Sequence, residues 1–353
     1  MQQPNVRPYL ITKSLSPENQ ETPIPFVQSD RVDKRLFFKR NHFSYPHLLS
    51  SSLYSLEIDG SVINPIKISL QHILKLPAKE VHTVLECAGN KRGFFRPKVF
   101  GEQWGKGAIS QGVWRGISLK TLLQFTGLLD IEKEVVFIGN DYGKTTNSKQ
   151  LHYFARSLPI EQALHEDTII AYQYNGNPIP FKHGFPFRLI VPNWYAMASV
   201  KWVKRIEVIE KSFDGPFQCE DYIYYPNKEN DAGAWPVTTK NVNSTIQKPL
   251  HMDELDTGKH IVKGIAWTGI GLITKVEISL NNGKSWNECE LITTPKPYQW
   301  VQWEYEWNAA EKGEYTILSR ATDSEGNKQP LIAYWNRKGY GYNAVDQIKI
   351  KID

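Results

Sequence analysis

Cysteine is scarce in this 353-residue chain, where Cys87, Cys219 and Cys289 stand far apart and are odd in number. That excludes a disulfide framework and a CxxC metal site, and it fits a reducing compartment. Long apolar runs are missing too: no stretch approaches the roughly 20 apolar residues of a membrane span. The opening residues MQQPNVR lack the charged-apolar-small order of a secretory signal, so the expected location is cytoplasmic, with periplasmic or extracellular placement left open. Lys and Arg number 42 against 37 Asp and Glu, a net charge of +5 with no basic run. Nucleic acid is therefore not an indicated partner, although a mild excess can be focused in a pocket for a small anion. No fixed-period repeat and no low-complexity tract is found.

Apolar material, in contrast, is plentiful. Hydrophobic residues make up 41% of the chain, with 15 Phe, 17 Tyr and 11 Trp. The length is about 2 to 3 times that of a common single domain, so two cores are expected. Residues 1–50 read as an irregular segment ending in LFFKRNHFSYP. Residues 51–230 carry β-branched runs at EVVFIGN, TIIAYQYN, FRLIVPN and VKWVKRIEVIE, with helical patterns at SLQHILKL, LKTLLQFTGLL and LPIEQALH. The polar stretch NKENDAGAWPVTTKNVNSTIQKP then reads as a linker. From about residue 245 to 353, strands recur at the 8–12-residue spacing of a β-sandwich, and Asn282-Gly283 marks a hairpin. The predicted architecture is an α+β domain followed by an all-β, immunoglobulin-like sandwich.

One cysteine sits where chemistry is plausible. The run VHTVLE leads into Cys87-Ala88-Gly89-Asn90-Lys91-Arg92. A thiol beside two cations in a small-residue loop is set up to ionise, and the thiolate is the form that attacks or binds metal. The alternatives are a buried structural cysteine, since free Cys packs as a small hydrophobe, and a Cys–His nucleophile, for which no sequence feature singles out the base.

The wording around Cys87 goes further. CAGN followed by two basic residues resembles the molybdenum-binding loop of the sulfite oxidase family of molybdopterin-dependent oxidoreductases. FFKRNHFSYP resembles that family's Arg-Asn-His segment. WGKGAISQGVWRGISLKTLL and HGFPFRLIVPNWYAMASVKWVKRIEV resemble two later blocks. The tail, through IAWTG, VEISLNNGKSW and YWNRKGYGYNA, is similar to the molybdenum-cofactor oxidoreductase dimerisation domain. These motifs run in the family's order from about residue 37 onward.

The resemblance implies the sulfite oxidase fold, a Mo-molybdopterin cofactor and a role for each matching residue. Cys87 would bind molybdenum as thiolate, a soft ligand suited to such a metal. Arg40, Asn41 and His42, Asp141, His183 and Arg188, and Ser199, Val200 and Lys201 match the cofactor site, the Arg and Lys residues being suitable phosphate partners. Without the family, His183 and Asp141 would read as turn residues and Arg188 and Lys201 as solvated strand ends. At the substrate end, Arg40 and Arg92 match the anion pocket, Trp104 a pocket wall, and Tyr222 the active-site tyrosine. Arg337 and Lys338 fall where sulfite oxidases carry a further arginine, and a lysine there is a point charge instead of a fork.

The implied activity is oxidation of sulfite to sulfate, with electrons passed to a separate acceptor, a cytochrome being expected. No His-Pro-Gly-Gly haem motif, CxxCH site or flavin domain is found. The same cofactor acting on nitrate, a sulfoxide or another oxyanion is an alternative, as is a metal-free binding protein. The resemblance also implies a twofold homodimer. QWVQWEYEWN adds Trp303, Tyr305 and Trp307 on one strand face, some of them expected to cover a partner, the alternative being that all are core.

Overall fold

Each run of β-branched residues noted above becomes a strand, and the strands assemble into two sheets that enclose the first core. In this computed structural model, residues 9–27, 30–47, 54–129, 131, 133–145, 148 and 150–353 are described. One sheet is antiparallel, in the order Asn177–Pro178, Ile169–Tyr174, Ile109–Ser118, Lys79–Glu86, with Arg188–Ile190 also paired to Ile169–Tyr174. The other runs Ile66–Ser69, Ser55–Gly60, Val203–Ile209, Glu134–Lys144, Leu151–Pro159. Its single parallel contact joins Ser55–Gly60 to Val203–Ile209. Buried Leu56, Ile58, Leu122, Phe137, Leu189 and Ile206 share one apolar cluster between them. Helices are short, and Leu119–Thr126 is the longest among the described residues.

The second core lies in a sandwich of two sheets. One is ordered Asn243–Lys248, Gly258–Trp267, Val301–Ala309, Glu290–Leu291, and the other Glu254–Leu255, Asp346–Ile352, Gly313–Asp323, Ile273–Ser279, Asn287–Glu288. Asn282 and Gly283, at φ 58° and 85°, make the predicted turn between Ile273–Ser279 and Asn287–Glu288. A small cluster joins the halves: Val84 and Ile109 from the first meet Ile265, Trp267 and Trp300 from the second.

Three expectations change. The N-terminal segment is not wholly irregular: Ile11–Leu15 and Glu18–Glu21 form a hairpin, and Gln20 exchanges backbone hydrogen bonds with Lys39. These strands are polar, so they carry no hydrophobic alternation to read; residues 1–8, 28–29 and 48–50 lie outside the described set. The stretch read as a linker contains the strand Asn243–Lys248, where buried Ser244 donates to Gln329 Oε1 at 2.6 Å and the Ile246 N–H donates to Asp346 at 2.9 Å, while Thr245 Oγ1 is buried without a partner. Finally, Trp303 and Trp307 are buried in the sandwich core and Trp300 in the joining cluster, so these three rings offer no exposed face to a partner.

Candidate functional site

Cys87 leaves the end of Lys79–Glu86 into a turn closed by Asn90 N–H donating to the Cys87 carbonyl at 2.8 Å. Its own N–H donates to Ala108 O at 2.9 Å, and Gly89 N–H points at Sγ from 3.4 Å. Gly89 has a steric reason: a Cβ there would lie 2.8 Å from the Arg92 guanidinium. The thiol is buried, and burial pushes its pKa up, while Arg40 and Arg92 pull it down. The sequence expectation of two neighbouring cations is half right. Lys91, in a left-handed conformation at φ 63°, turns away and donates to Asn243 Oδ1 and Ser244 O at 2.8 and 2.7 Å. Arg40 arrives instead, from 47 residues upstream.

Two cavities meet at Cys87. The first is lined by Arg40, Asn41, His42, Asp141, His183, Arg188, Ser199 and Lys201 among others. His183 ends the turn Phe181–His183, Arg188 opens Arg188–Ile190, and Ser199 and Lys201 follow the turn Ala196–Ala198. Lys201 Nζ donates to Arg40 O at 2.9 Å and to Asn41 Oδ1. Burial drives the Lys201 pKa down and that of Asp141 up. Burial also lowers Arg188 to about 9 and, with neighbouring cations, pushes His183 and His42 well below the usual histidine range. Both imidazoles are neutral at pH 7. Val200 is buried and contributes main-chain bonds with Leu189 and Ala198, without lining either cavity.

The second cavity, about 400 Å³, is lined by Arg40, His42, Cys87, Arg92, Tyr222, Arg337 and Lys338 among others. His42 Nε2 lies 2.6 Å from the Tyr222 hydroxyl, and Tyr222 stacks on Tyr340 with centroids 5.2 Å apart. Arg92, in its lining, donates from Nε to the carbonyls of Lys338 and Gly339 at 3.0 and 3.1 Å and from Nη1 to Glu102 O at 3.3 Å. Lys338 and Arg337 line the wall but are occupied: Lys338 Nζ meets Asp221 at 2.6 Å, and Arg337 pairs with Asp231. Trp104 is fully buried in the cluster around Cys87 and lines neither cavity. Its large apolar ring packs beneath the loop, where a pocket wall was expected.

Comparison with known proteins agrees with this geometry. Residues 42–217 match the family described as oxidoreductase molybdopterin binding domain, and residues 235–353 the Mo-co oxidoreductase dimerisation domain. The Arabidopsis thaliana protein "Sulfite oxidase" is 31% identical over 96% of this chain and 93% of its own length. The chain belongs to the sulfite oxidase family of molybdopterin-dependent oxidoreductases. The Drosophila melanogaster protein "Sulfite oxidase, mitochondrial" is 32% identical over 99% of the chain, which spans 65% of that relative's length. "Nitrate reductase [NAD(P)H]" of Hordeum vulgare is 31% identical over 95% of the chain and 41% of its own length. The solved "Sulfane Dehydrogenase SoxCD from Paracoccus pantotrophus" shares the fold, with TM-score 0.84 at 24% identity, covering 98% of this chain and 90% of that one.

The residues present fit the family's cofactor. Asp141 Oδ1 and Arg188 Nε, both in the first cavity, are buried without a hydrogen-bond partner, as polar atoms awaiting a ligand would be. Arg40, Arg188 and Lys201 crowd there with Asp141 as the carboxylate, a surplus suited to a phosphate-bearing anion. Among the described residues no three His, Cys, Asp or Glu gather around one point, so Cys87 suits a metal whose other ligands come with an organic group.

Sequence reasoning missed several residues of this family member's site. Glu18 and Asn19, from the N-terminal hairpin, brace Asn41: Asn19 Oδ1 accepts from Asn41 N–H at 2.7 Å. Burial would raise Glu18, but hydrogen bonds from Lys182, Tyr45 and Lys39 hold it at about 2. Arg156, buried beneath Tyr222 with its guanidinium 5.6 Å from the ring, is lowered to about 10 by burial. Nothing in its strand sequence set it apart from a solvated strand residue.

Proposed function

We propose that this chain is a molybdenum-cofactor enzyme that oxidises sulfite to sulfate and passes the electrons to a separate acceptor, with a cytochrome as the expected partner. The observation that carries the reading is that Cys87, Arg40, His42 and Tyr222 line both cavities at once. One cavity holds phosphate-type partners, the other the anion-type cations, and the cysteine stands between them. The bound molybdenum cofactor supplies oxo transfer and two-electron storage. Arg188, Lys201 and His183 grip it, with Asn41 held in place from Glu18 and Asn19. Arg40 and Arg92 take the oxygens of the anion and leave its sulfur lone pair free. Tyr222 keeps its proton, since burial pushes its pKa far above the ordinary value, and so serves as a neutral hydrogen-bond partner beside the anion. His42, neutral, holds that hydroxyl in place.

Two subunits are expected to pair through residues 235–353, in keeping with the dimerisation-domain match. The three cysteines are free. No helix among the described residues is long and apolar enough to cross a membrane.

Protein made in a host that synthesises the cofactor tests the reading. One molybdenum per chain and sulfite-dependent dye reduction, both lost in Cys87→Ser, are the expected results. Unchanged activity in that variant overturns it. A second reading, reduction of nitrate, draws on the comparable identity to plant nitrate reductases and on Lys338 being ion-paired with Asp221. Turnover with nitrate and none with sulfite would replace the first reading with the second.

A further inference from the structure

We propose that the C-terminal sandwich positions the Cys87 sulfur through a buried relay running from Trp267 to Glu86 to Asn90. The proposal rests on the reading of Cys87 as the metal ligand and assigns the sandwich a task beyond subunit pairing. Trp267 Nε1 donates to Glu86 Oε2 at 2.8 Å. The other oxygen, Oε1, accepts from Asn90 Nδ2 at 3.0 Å. Asn90 Oδ1 in turn accepts from Ala108 N–H at 3.1 Å, and the Asn90 N–H closes the turn onto the Cys87 carbonyl. Trp267, Glu86 and Asn90 are each at most 2% exposed, so water cannot replace a lost partner.

The relay is not an isolated bridge. The next two residues of the loop are also tied to the C-terminal half. Lys91 Nζ reaches Asn243 and Ser244, with Asp346 3.7 Å away, and Arg92 Nε reaches the carbonyls of Lys338 and Gly339. The first half holds the same loop through Cys87 N–H to Ala108 O, Ala108 N–H to Asn90 Oδ1, Lys91 N–H to Gly105 O and Arg92 Nη1 to Glu102 O, so the loop is clamped from both halves. Groups that orient a metal ligand from behind act on the metal nearly as strongly as the ligand's own identity does. Here the group behind the turn is a carboxylate with both oxygens accepting, one from each half of the molecule. Rotating Glu86 to follow a shifted sandwich would drag Asn90, and with it the turn that aims Sγ at the cavities.

Trp267→Phe removes only the indole N–H and keeps a ring in the joining cluster. Glu86→Gln keeps the shape but sets an amide N–H against one of two donors, so one bond must break. Both are made in the full chain carrying Cys219→Ser and Cys289→Ala, next to Ile348→Val, which thins the sandwich core without removing a relay hydrogen bond. Two quantities are read: the rate at which iodoacetamide alkylates Cys87 in protein from a host unable to make molybdopterin, and the molybdenum retained per chain from a competent host. Relay variants are expected to alkylate several-fold faster than Ile348→Val at equal distance below their melting temperatures. They are also expected to retain about tenfold less molybdenum. Rates and retention equal to those of Ile348→Val overturn the proposal. If Trp267→Phe does not fold, Glu86→Gln decides on the same readouts. Absence of molybdenum from the unmodified protein defeats the functional reading, whereas the alkylation comparison, which needs neither metal nor sulfite, still tests the relay.

Discussion

His42 and Tyr222, 180 residues apart in the chain, meet at 2.6 Å between Nε2 and the phenol oxygen, on the wall shared by the two cavities. Neither group carries charge at neutral pH, for burial disfavours both the imidazolium and the phenolate, and Arg40, Lys201, Arg92 and Arg156 further oppose the imidazolium. In the tautomer whose Nε2–H donates to the phenol oxygen, the phenol proton is left to reach an anion.

Removing that hydroxyl therefore isolates its contribution. Tyr222→Phe is expected to raise the KM for sulfite by roughly fivefold, the equivalent of about 1 kcal/mol for one hydrogen bond, with a smaller change in kcat. Steady-state kinetics checks this, and an unchanged KM would remove Tyr222 from the anion site.

Anion affinity in the first cavity should fall as pH rises. Lys201 is depressed from 10.5 to about 7 by burial, so its stability contribution is full above 10.5 and is lost as pH falls to about 7. Asp141 is raised from 3.8 to about 6 by burial, so its contribution is full below 3.8 and lost as pH rises through about 6. Between pH 6 and 8 Lys201 loses its charge and Asp141 completes its ionisation, and both changes oppose an anion. Sulfate, a dianion throughout that range, should raise the melting temperature of cofactor-free protein more at pH 6 than at pH 8. A larger shift at pH 8 would contradict the assignment.

Lys338 stands in the wall of the second cavity with its charge spent on Asp221. Asp221→Asn is expected to free it, tightening sulfate binding and lowering the sulfite KM. Calorimetric titration with sulfate measures this without turnover, and weaker binding in the variant would show that Asp221 instead holds Lys338 in a useful pose.

Trp303 is fully enclosed in the sandwich core. Trp303→Ala should cost about 3–5 kcal/mol in denaturant unfolding. Light scattering should still give a mass near twice 40.6 kDa under native conditions. A fall to the single-chain mass without loss of stability would return this face to the subunit contact.

Much of this was legible in the residues alone. The β-branched runs became strands, the Asn282-Gly283 turn formed where its left-handed preference put it, and the ordered motifs around Cys87 identified the family. Such features are local, set by what one stretch of backbone and its side chains can adopt. What only the tertiary structure decided are the pairings across distance. Lys91, adjacent to the thiol's turn in sequence, faces the sandwich, while Arg40 from the N-terminal arm takes its place near the sulfur. The tryptophans of Val301–Ala309 fill their own core, and Lys338 meets a carboxylate that no motif placed beside it. Burial did the rest: a side chain's charge depends on the surroundings that the whole fold assembles, so the sequence could name Lys201, Asp141 and His42 but not their protonation.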